Sequence, residues 1–200
     1  MIRTIVFDMG GVLYHFYPEK ALAALPDGDR DLVEKAVYAS PDWVLQDRGD
    51  IDEGEMIRRA RSHVPERLRD TAEQFVRWYE LMGPVEGMAE LARELKSAGY
   101  PLYLLSNVGE AYRRFRERIP AAAYLTGEFL SSDYGLLKPN REIFGKFLAV
   151  YGLEAGECLF VDDTARNIDG ARSAGMHGIV FRGDALELRE KMKEMGVKLR

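Results

Sequence analysis

The chain has 200 residues, of which 46% are hydrophobic and 30% are charged, and its formal net charge is −5. This length is enough for one substantial core with a modest insertion, and the negative charge argues against broad electrostatic binding to nucleic acid. No apolar stretch approaches the ~20 residues that a membrane span needs, and the amino terminus has no signal-peptide pattern, so we expect a cytoplasmic protein.

Short apolar runs that end in polar or glycine residues predict strands buried on both faces. These runs cover residues 2–7, 100–105, 158–161 and 178–181, with a weaker one at 124–130. Helical patterns lie between them, at residues 85–98, 141–151 and 165–174. Strands that alternate with helices of this length predict an α/β fold with a parallel sheet.

The segment 15–82 interrupts this alternation. It has helical patterns at residues 30–38, 53–61 and 68–80 and no convincing strand. We interpret it as a helical insertion after the first strand, so that residues 1–14 and 83–200 form the α/β core domain.

Polar residues follow the strongest predicted strands: Asp8 after the first, Ser106-Asn107 after the second, and Asp162-Asp163 after the run that begins at Cys158. The carboxyl ends of parallel strands meet at one edge of a sheet, where ligands bind in open α/β folds. Clustered carboxylates repel one another unless a cation lies between them, and Mg²⁺ prefers oxygen ligands. Since the chain has no cluster of His or Cys, we expect a magnesium site and no zinc site.

A carboxylate is also a recognised nucleophile in phosphoryl transfer, where it forms an aspartyl-phosphate. Its approach to a phosphate of charge near −2 meets a repulsion of about 4–8 kcal/mol at ~4 Å and an effective dielectric of ~20. Mg²⁺ is expected to offset this repulsion. Lys138, which follows the weaker strand, would do so too, but taken alone its position is equally that of an ordinary surface lysine. Ser106, Asn107 and the backbone N–H groups of Gly10 and Gly11 are candidate phosphate donors.

Four segments together resemble the motifs of the haloacid dehalogenase-like hydrolase superfamily, which contains many phosphatases. They are IVFDMGGVL, LYLLSN, GLLKP and LFVDDTARNIDGA, and the match covers nearly the whole chain. The resemblance implies a three-layer α/β/α, Rossmann-like parallel sheet with a small inserted helical cap. It also implies hydrolysis of a small phosphorylated metabolite by a monomer or homodimer.

By the same resemblance, Asp8 is the nucleophile and a magnesium ligand, and Ser106 and Lys138 bind phosphate. The carbonyl of Gly10 and the carboxylate of Asp163 complete the implied metal ligands. Asp162 is expected to contact the metal directly or through a neighbouring ligand, and Asn167 to orient the site.

One position departs from the pattern. Phosphatases of this superfamily usually have a second Asp two residues after the nucleophile, where this chain has Gly10. Three interpretations stay open: a phosphatase that manages without that Asp, resembling the branch that includes glucose 1-phosphate phosphatases; a 2-haloacid dehalogenase; and a non-catalytic protein that binds a phosphate ligand. The acidic pair Asp162-Asp163 favours the phosphatase.

Replacements for the missing proton donor are sought near the first motif and in the cap. Tyr14 and His15 lie just after the motif, and Asp50 and Asp52 lie in the cap. Other cap residues are candidates for facing the site, namely Trp43, Gln46 and Arg48. Arg48 is expected either to bind a second anionic group of the substrate or to pair with Asp47 or Asp50.

Overall fold

A five-stranded parallel sheet forms the centre of the computed structural model, which describes residues 1–199. The spatial order of the strands is β3-β2-β1-β4-β5. The strands are β1 (Thr4–Phe7), β2 (Leu102–Ser106), β3 (Gly127–Leu130), β4 (Cys158–Asp162) and β5 (His177–Val180). The chain reverses its direction of strand addition at β1, so β1, β2 and β4 form the centre of the edge where ligands bind in such folds.

Helices cover both faces of this sheet. Ile5 and Phe7 of β1 join one apolar cluster, and Val6 between them joins the cluster on the opposite face. This alternation is the period of two that a strand imposes on its side chains. The first face packs against α6 (Met88–Ser97) and α11 (Ala185–Glu194), and the second against α9 (Arg141–Tyr151) and α10 (Ala165–Ser173). The predicted three-layer α/β/α architecture is confirmed.

Residues 15–82 form a helical unit with an apolar cluster of its own. Its helices are α1 (Pro18–Leu22), α2 (Asp27–Ala36), α3 (Pro41–Arg48), α4 (Glu53–Ser62) and α5 (Arg69–Val76). Val33, Met56 and Phe75 are buried in its centre. An isolated bridge pairs Tyr14 with Pro84, so the chain enters and leaves this unit at adjacent points.

The carboxyl end of α3 rests on the core at α8 (Ser131–Tyr134), a single turn that follows β3. Gly49 ends α3 in the left-handed region with φ of 84°, and a Cβ there would lie 2.4 Å from the carbonyl oxygen of Ser132. Only glycine permits both this dihedral angle and this contact. The helical unit is thereby seated against the strand ends.

Several predicted boundaries are corrected. The run at 124–130 becomes a strand only from Gly127, because Pro120–Tyr124 forms a 3₁₀ turn. Helices α1, α3 and α11 were not predicted, although α3 and α11 have cap signals: Ser40 before Pro41 in α3, and Asp184 before α11. Two further elements are short, α7 (Tyr112–Phe115) and the 3₁₀ turn Trp78–Glu80.

Within residues 1–199, no helix has the length and apolar character to cross a bilayer.

Candidate active site

A cavity of about 200 Å³ lies where β1, β2 and β4 end, between the sheet and α3. Its wall is acidic and amide-bearing on the side of the sheet, and the helical unit contributes aromatic residues and one carboxyl group. The lining residues are Asp8, Met9, Gly10, Phe16, Trp43, Asp47, Trp78, Ser106, Asn107, Val108, Asp163 and Thr164. The structure therefore brings most of the predicted site residues to one place.

Asp8 lies at the floor of the cavity with 8% of its surface exposed. The Nζ atom of Lys138 is 2.8 Å from its Oδ1 atom, and the Ser106 hydroxyl is within hydrogen-bonding reach. Burial raises the pKa of Asp8 to about 7, and the nearby charge of Asp162 adds to the rise, while Lys138 and Ser106 oppose it. In the metal-free protein, the ammonium group of Lys138 favours the ionised form of Asp8.

Lys138 is buried beneath the cavity floor and bridges two carboxylates. Its Nζ atom lies 2.7 Å from Oδ2 of Asp162 as well as 2.8 Å from Asp8. Asn107 fixes its backbone, since the Lys138 N–H donates to Oδ1 of Asn107 at 2.8 Å and the Asn107 amide donates back to the Lys138 carbonyl at 3.0 Å. Asn107 thus positions the lysine, and because its amide has two N–H groups and the residue lines the cavity, the expected role as a phosphate donor stays a prediction.

Asp162 is fully buried, and donors surround both of its carboxylate oxygens. Oδ1 accepts from the Thr164 N–H at 2.8 Å and from the Asn167 amide at 3.0 Å. Oδ2 accepts from Lys138 at 2.7 Å and from the same Asn167 amide at 3.0 Å. A carboxylate has about four acceptor positions, and these contacts fill them. Its oxygens orient Lys138 and the turn after β4, which favours the expected indirect contact with the metal over direct ligation.

Asp163 is the exposed member of the acidic pair and reaches into the cavity. Oxygen atoms of Asp8, Asp162 and Asp163 all lie within 4.8 Å of one another. Partial burial and the charge of Asp162 raise the pKa of Asp163. Asp8 and Asp163 offer carboxylate oxygens to the same cavity, which Gly10 also lines, and oxygen donors fit Mg²⁺, an ion that is usually held by one or two carboxylates with water and phosphate.

The loop after β1 approaches this acidic group closely. Gly11 has φ of 72°, and a Cβ there would lie 2.1 Å from Oδ2 of Asp163. Its N–H donates to the carbonyl of Tyr14 at 2.8 Å, so the expectation that this N–H binds phosphate is corrected. Gly10 does line the cavity, and Ser106 lies beside Asp8 as expected.

Of the three residues of the helical unit that were expected to face the site, one lines the cavity and two do not. Trp43 lines the cavity, whereas Gln46 packs against Gly109 and is absent from the lining. Arg48 is exposed and pairs with Asp50, its Nε atom 2.6 Å from Oδ2. Successive residues of a helix are about 100° apart, which turns Arg48 away when its neighbour faces inward. The expectation that Arg48 contacts substrate is therefore corrected.

Asp47 is the ionisable lining residue that sequence reasoning did not place in the site. It occurred in that reasoning only as a pairing partner for Arg48. A signal was present, because Asp47 is four residues after Trp43 and side chains four apart share one face of a helix.

Comparison with known proteins gives the family. The model of the haloacid dehalogenase-like hydrolases matches residues 2–175. A sesquiterpene phosphatase of Aspergillus oryzae is 27% identical over 88% of each chain. Flavin mononucleotide hydrolase 1 of Arabidopsis thaliana is 26% identical over 78% of this chain and 63% of its own length.

Solved structures agree on the fold. A haloacid dehalogenase family enzyme of Bacteroides thetaiotaomicron, crystallised with magnesium and inorganic phosphate, superposes with a TM-score of 0.78 at 21% identity, over 94% of this chain and 99% of that one. An L-2-haloacid dehalogenase of Xanthobacter autotrophicus gives 0.66 at 16% identity, over 99% and 85%. Because the family model spans residues 2–175, the chain belongs to the haloacid dehalogenase-like hydrolases.

Proposed function

We propose that this hydrolase is a magnesium-dependent phosphatase that cleaves a small phosphate monoester through an aspartyl-phosphate on Asp8. The observation that carries the proposal is the placement of Asp8 at the cavity floor, 2.8 Å from the buried ammonium of Lys138 and beside Asp163. A carboxylate can reach an anionic ester only where cations offset their repulsion. The phosphatases among the relatives support the same reaction class.

The chemistry has two displacements. A carboxylate oxygen of Asp8 attacks phosphorus, and the bond from phosphorus to the ester oxygen breaks as that oxygen takes a proton. Water then attacks the phosphorus of the aspartyl-phosphate, which releases inorganic phosphate and the Asp8 carboxylate. Lys138 and Ser106 hold Asp8 in position for both steps. Bound Mg²⁺, held by Asp8, Asp163 and the Gly10 carbonyl, would neutralise phosphate charge and favour ionised Asp8.

The cavity restricts the substrate. Its volume of about 200 Å³ is below the roughly 300–1,000 Å³ of pockets that enclose drug-sized ligands, so the closed site suits a small ester. The wall opposite Asp8 consists of Phe16, Trp43 and Trp78, with the rings of Phe16 and Trp78 4.9 Å apart. No Lys or Arg lines the cavity among residues 1–199. We therefore expect an uncharged organic group, of which a sugar is one example, and no second anionic group.

The test is a panel of phosphate monoesters with Mg²⁺, in which alkyl, aryl and sugar phosphates are paired with carboxylate-bearing esters of equal size. We expect phosphate release from the neutral esters, little from their anionic partners, and none after chelation. Asp8→Asn is expected to fold and to lose turnover, while Asp50→Asn, in an exposed pair, keeps it. Halide release from 2-haloacids that survives chelation, or a fully active Asp8→Asn variant, would contradict the proposal.

A further inference from the structure

The leaving group of the proposed reaction needs a proton donor, and the loop after β1 does not provide one. When the ester bond breaks, an alkoxide leaving group must take up a proton, and general acid catalysis of this kind is worth roughly 10²–10⁴-fold. The residue two positions after Asp8 is Gly10, which has no side chain. The donor must therefore come from another element that lines the cavity.

Three of the four candidates that the sequence suggested are engaged elsewhere. The Tyr14 hydroxyl lies 2.6 Å and 2.9 Å from the backbone carbonyls of Met82 and Tyr79. Asp50 pairs with Arg48, and Asp52 accepts from the Glu55 N–H at 2.7 Å as the cap of α4. His15, the remaining candidate, is absent from the cavity lining, as are these three.

Asp47 is the carboxyl group that α3 places in the cavity. It lines the same space as Asp8 and lies close enough for the charges of Asp8 and Lys138 to act on it. Trp43 lies one turn earlier in α3 and is close enough to Asp47 to lower the pKa of that carboxyl. Since Asp8 and Asp163 are the only other carboxylates in the lining, Asp47 is the one left free of the metal donor set.

The core holds Asp47 in place through its backbone. The buried Ser131 hydroxyl donates to the carbonyl of Asp47. The Ser131 hydroxyl oxygen in turn accepts from the Val108 N–H at 2.9 Å. Two residues after Asp47, Gly49 packs against the carbonyl of Ser132 so closely that a Cβ would not fit between them. The end of α3 is therefore fixed against the strand ends that carry Ser106 and the acidic cluster, and the Asp47 carboxyl is fixed with it.

We propose that Asp47 is the general acid and base of the reaction, an inference that rests on the proposed function. As Asp8 bonds to phosphorus and the ester bond breaks, the Asp47 carboxylic acid gives its proton to the leaving oxygen. The Asp47 carboxylate then takes a proton from the water that attacks the aspartyl-phosphate. Phosphate leaves, Asp8 is free again, and Asp47 has regained the proton that it gave.

The surroundings of Asp47 suit this role. Burial raises its pKa to about 7, and the negative charge of Asp8 raises it too, whereas Lys138 and Trp43 oppose the rise. A carboxyl group with a pKa near the working pH can both give and take a proton, which is what a single acid and base requires. Phe16, Trp43 and Trp78 line the same cavity and give it an apolar side.

The experiment compares leaving groups in Asp47→Asn, which keeps the size of the side chain and cannot exchange the proton. For an alkyl phosphate we expect kcat to fall by roughly 10²–10⁴-fold. For p-nitrophenyl phosphate, whose phenolate leaves without protonation, we expect a rapid burst of one p-nitrophenol per enzyme, followed by slow turnover. During that turnover, intact-protein mass should show an added phosphoryl group, because the second step has lost its base. Asp50→Asn is the matched control and keeps wild-type rates for both esters.

Equal losses for both esters, without a burst, would overturn the assignment, as would an Asp47→Asn variant that turns over the alkyl ester at the wild-type rate. If Asp47→Asn fails to fold, Asp47→Ser undergoes the same comparison, and the wild-type enzyme gives an independent one. With an internal acid, its rates should depend only weakly on the pKa of the leaving group, and a steep dependence would contradict us. A wild-type enzyme without phosphate release would instead refute the proposed function.

Discussion

Replacing Lys138 with methionine should destabilise the protein because two buried carboxylates then lose their shared cation. The Nζ atom is 2.8 Å from Asp8 and 2.7 Å from Asp162, and 1% of the lysine side chain is exposed. At an effective dielectric of about 20, a pair of charges 2.8 Å apart attracts by roughly 6 kcal/mol before desolvation is counted. Removing one partner from a buried ion pair typically costs about 3–5 kcal/mol, and we expect a loss of this size in Lys138→Met.

The loss should depend on pH in a defined direction. Burial holds the pKa of Asp8 at about 7 even with Lys138 beside it, and Lys138 lowers that pKa. Without the lysine, the pKa of Asp8 rises further above its unfolded value of 3.8. An acid whose folded pKa is raised stabilises the folded state less as pH rises, so the difference between variant and wild type widens above about pH 7.

The assay is denaturant unfolding with a chelator present, at about pH 6 and about pH 8.5, with Lys146→Met as an exposed control. Adding Asp162→Asn to Lys138→Met should recover part of the stability by removing one of the stranded charges. A destabilisation below about 1 kcal/mol at both pH values, or one that shrinks as pH rises, would refute the reasoning.

Three further predictions concern the metal donor set and the cysteine. Gly11→Ala would place a Cβ 2.1 Å from Oδ2 of Asp163, so the Mg²⁺ concentration for half-maximal activity should rise about 10–100-fold. The control Gly135→Ala, where φ is a similar 66° and the new Cβ would meet no neighbouring side chain or backbone within 4 Å, should leave that concentration unchanged. Equal effects of the two substitutions would contradict the donor set. At a hundredfold its Kd, Mg²⁺ should stabilise the protein by about 2.7 kcal/mol, or roughly 5–10 °C in Tm, and Asp163→Asn should lose this shift; a shift that persists would exclude Asp163 as a ligand. Burial raises the pKa of the Cys158 thiol to about 11, so at about pH 8 an alkylating reagent should modify it only after denaturation, and rapid labelling of native protein would show the thiol to be accessible.

The meeting of Asp8, Ser106 and the acidic pair followed from the sequence because it depends on sheet topology, whereas Lys138, which lies in a turn before α9, was assigned from the family resemblance. Parallel strands bring their carboxyl ends to one edge, so residues far apart in sequence meet there without any detail of packing. What remained unresolved was which oxygen contacts which donor. The four contacts to Asp162 come from Thr164, Asn167 and Lys138, and this set depends on the turn after β4.

The orientation of the helical unit on the core could not be predicted for a different reason. Its helices were recognisable, but their orientation on the core depends on single contacts such as Gly49 against Ser132 and Ser131 against the Asp47 carbonyl. No local pattern marks these contacts, since they join residues more than eighty positions apart. Arg48 was therefore preferred to Asp47 on its charge, although the rotation of α3 places Asp47 inside and Arg48 outside.

Covalent capture of the phosphoryl group tests the central claim most directly. Wild-type enzyme mixed with Mg²⁺ and substrate is quenched during turnover and reduced with borohydride, which converts an acyl phosphate to an alcohol. Peptide mapping should then find homoserine at position 8, and none in a sample without substrate. If that position stays aspartate while phosphate is released and another residue carries the modification, or none does, Asp8 is not the nucleophile and the account fails.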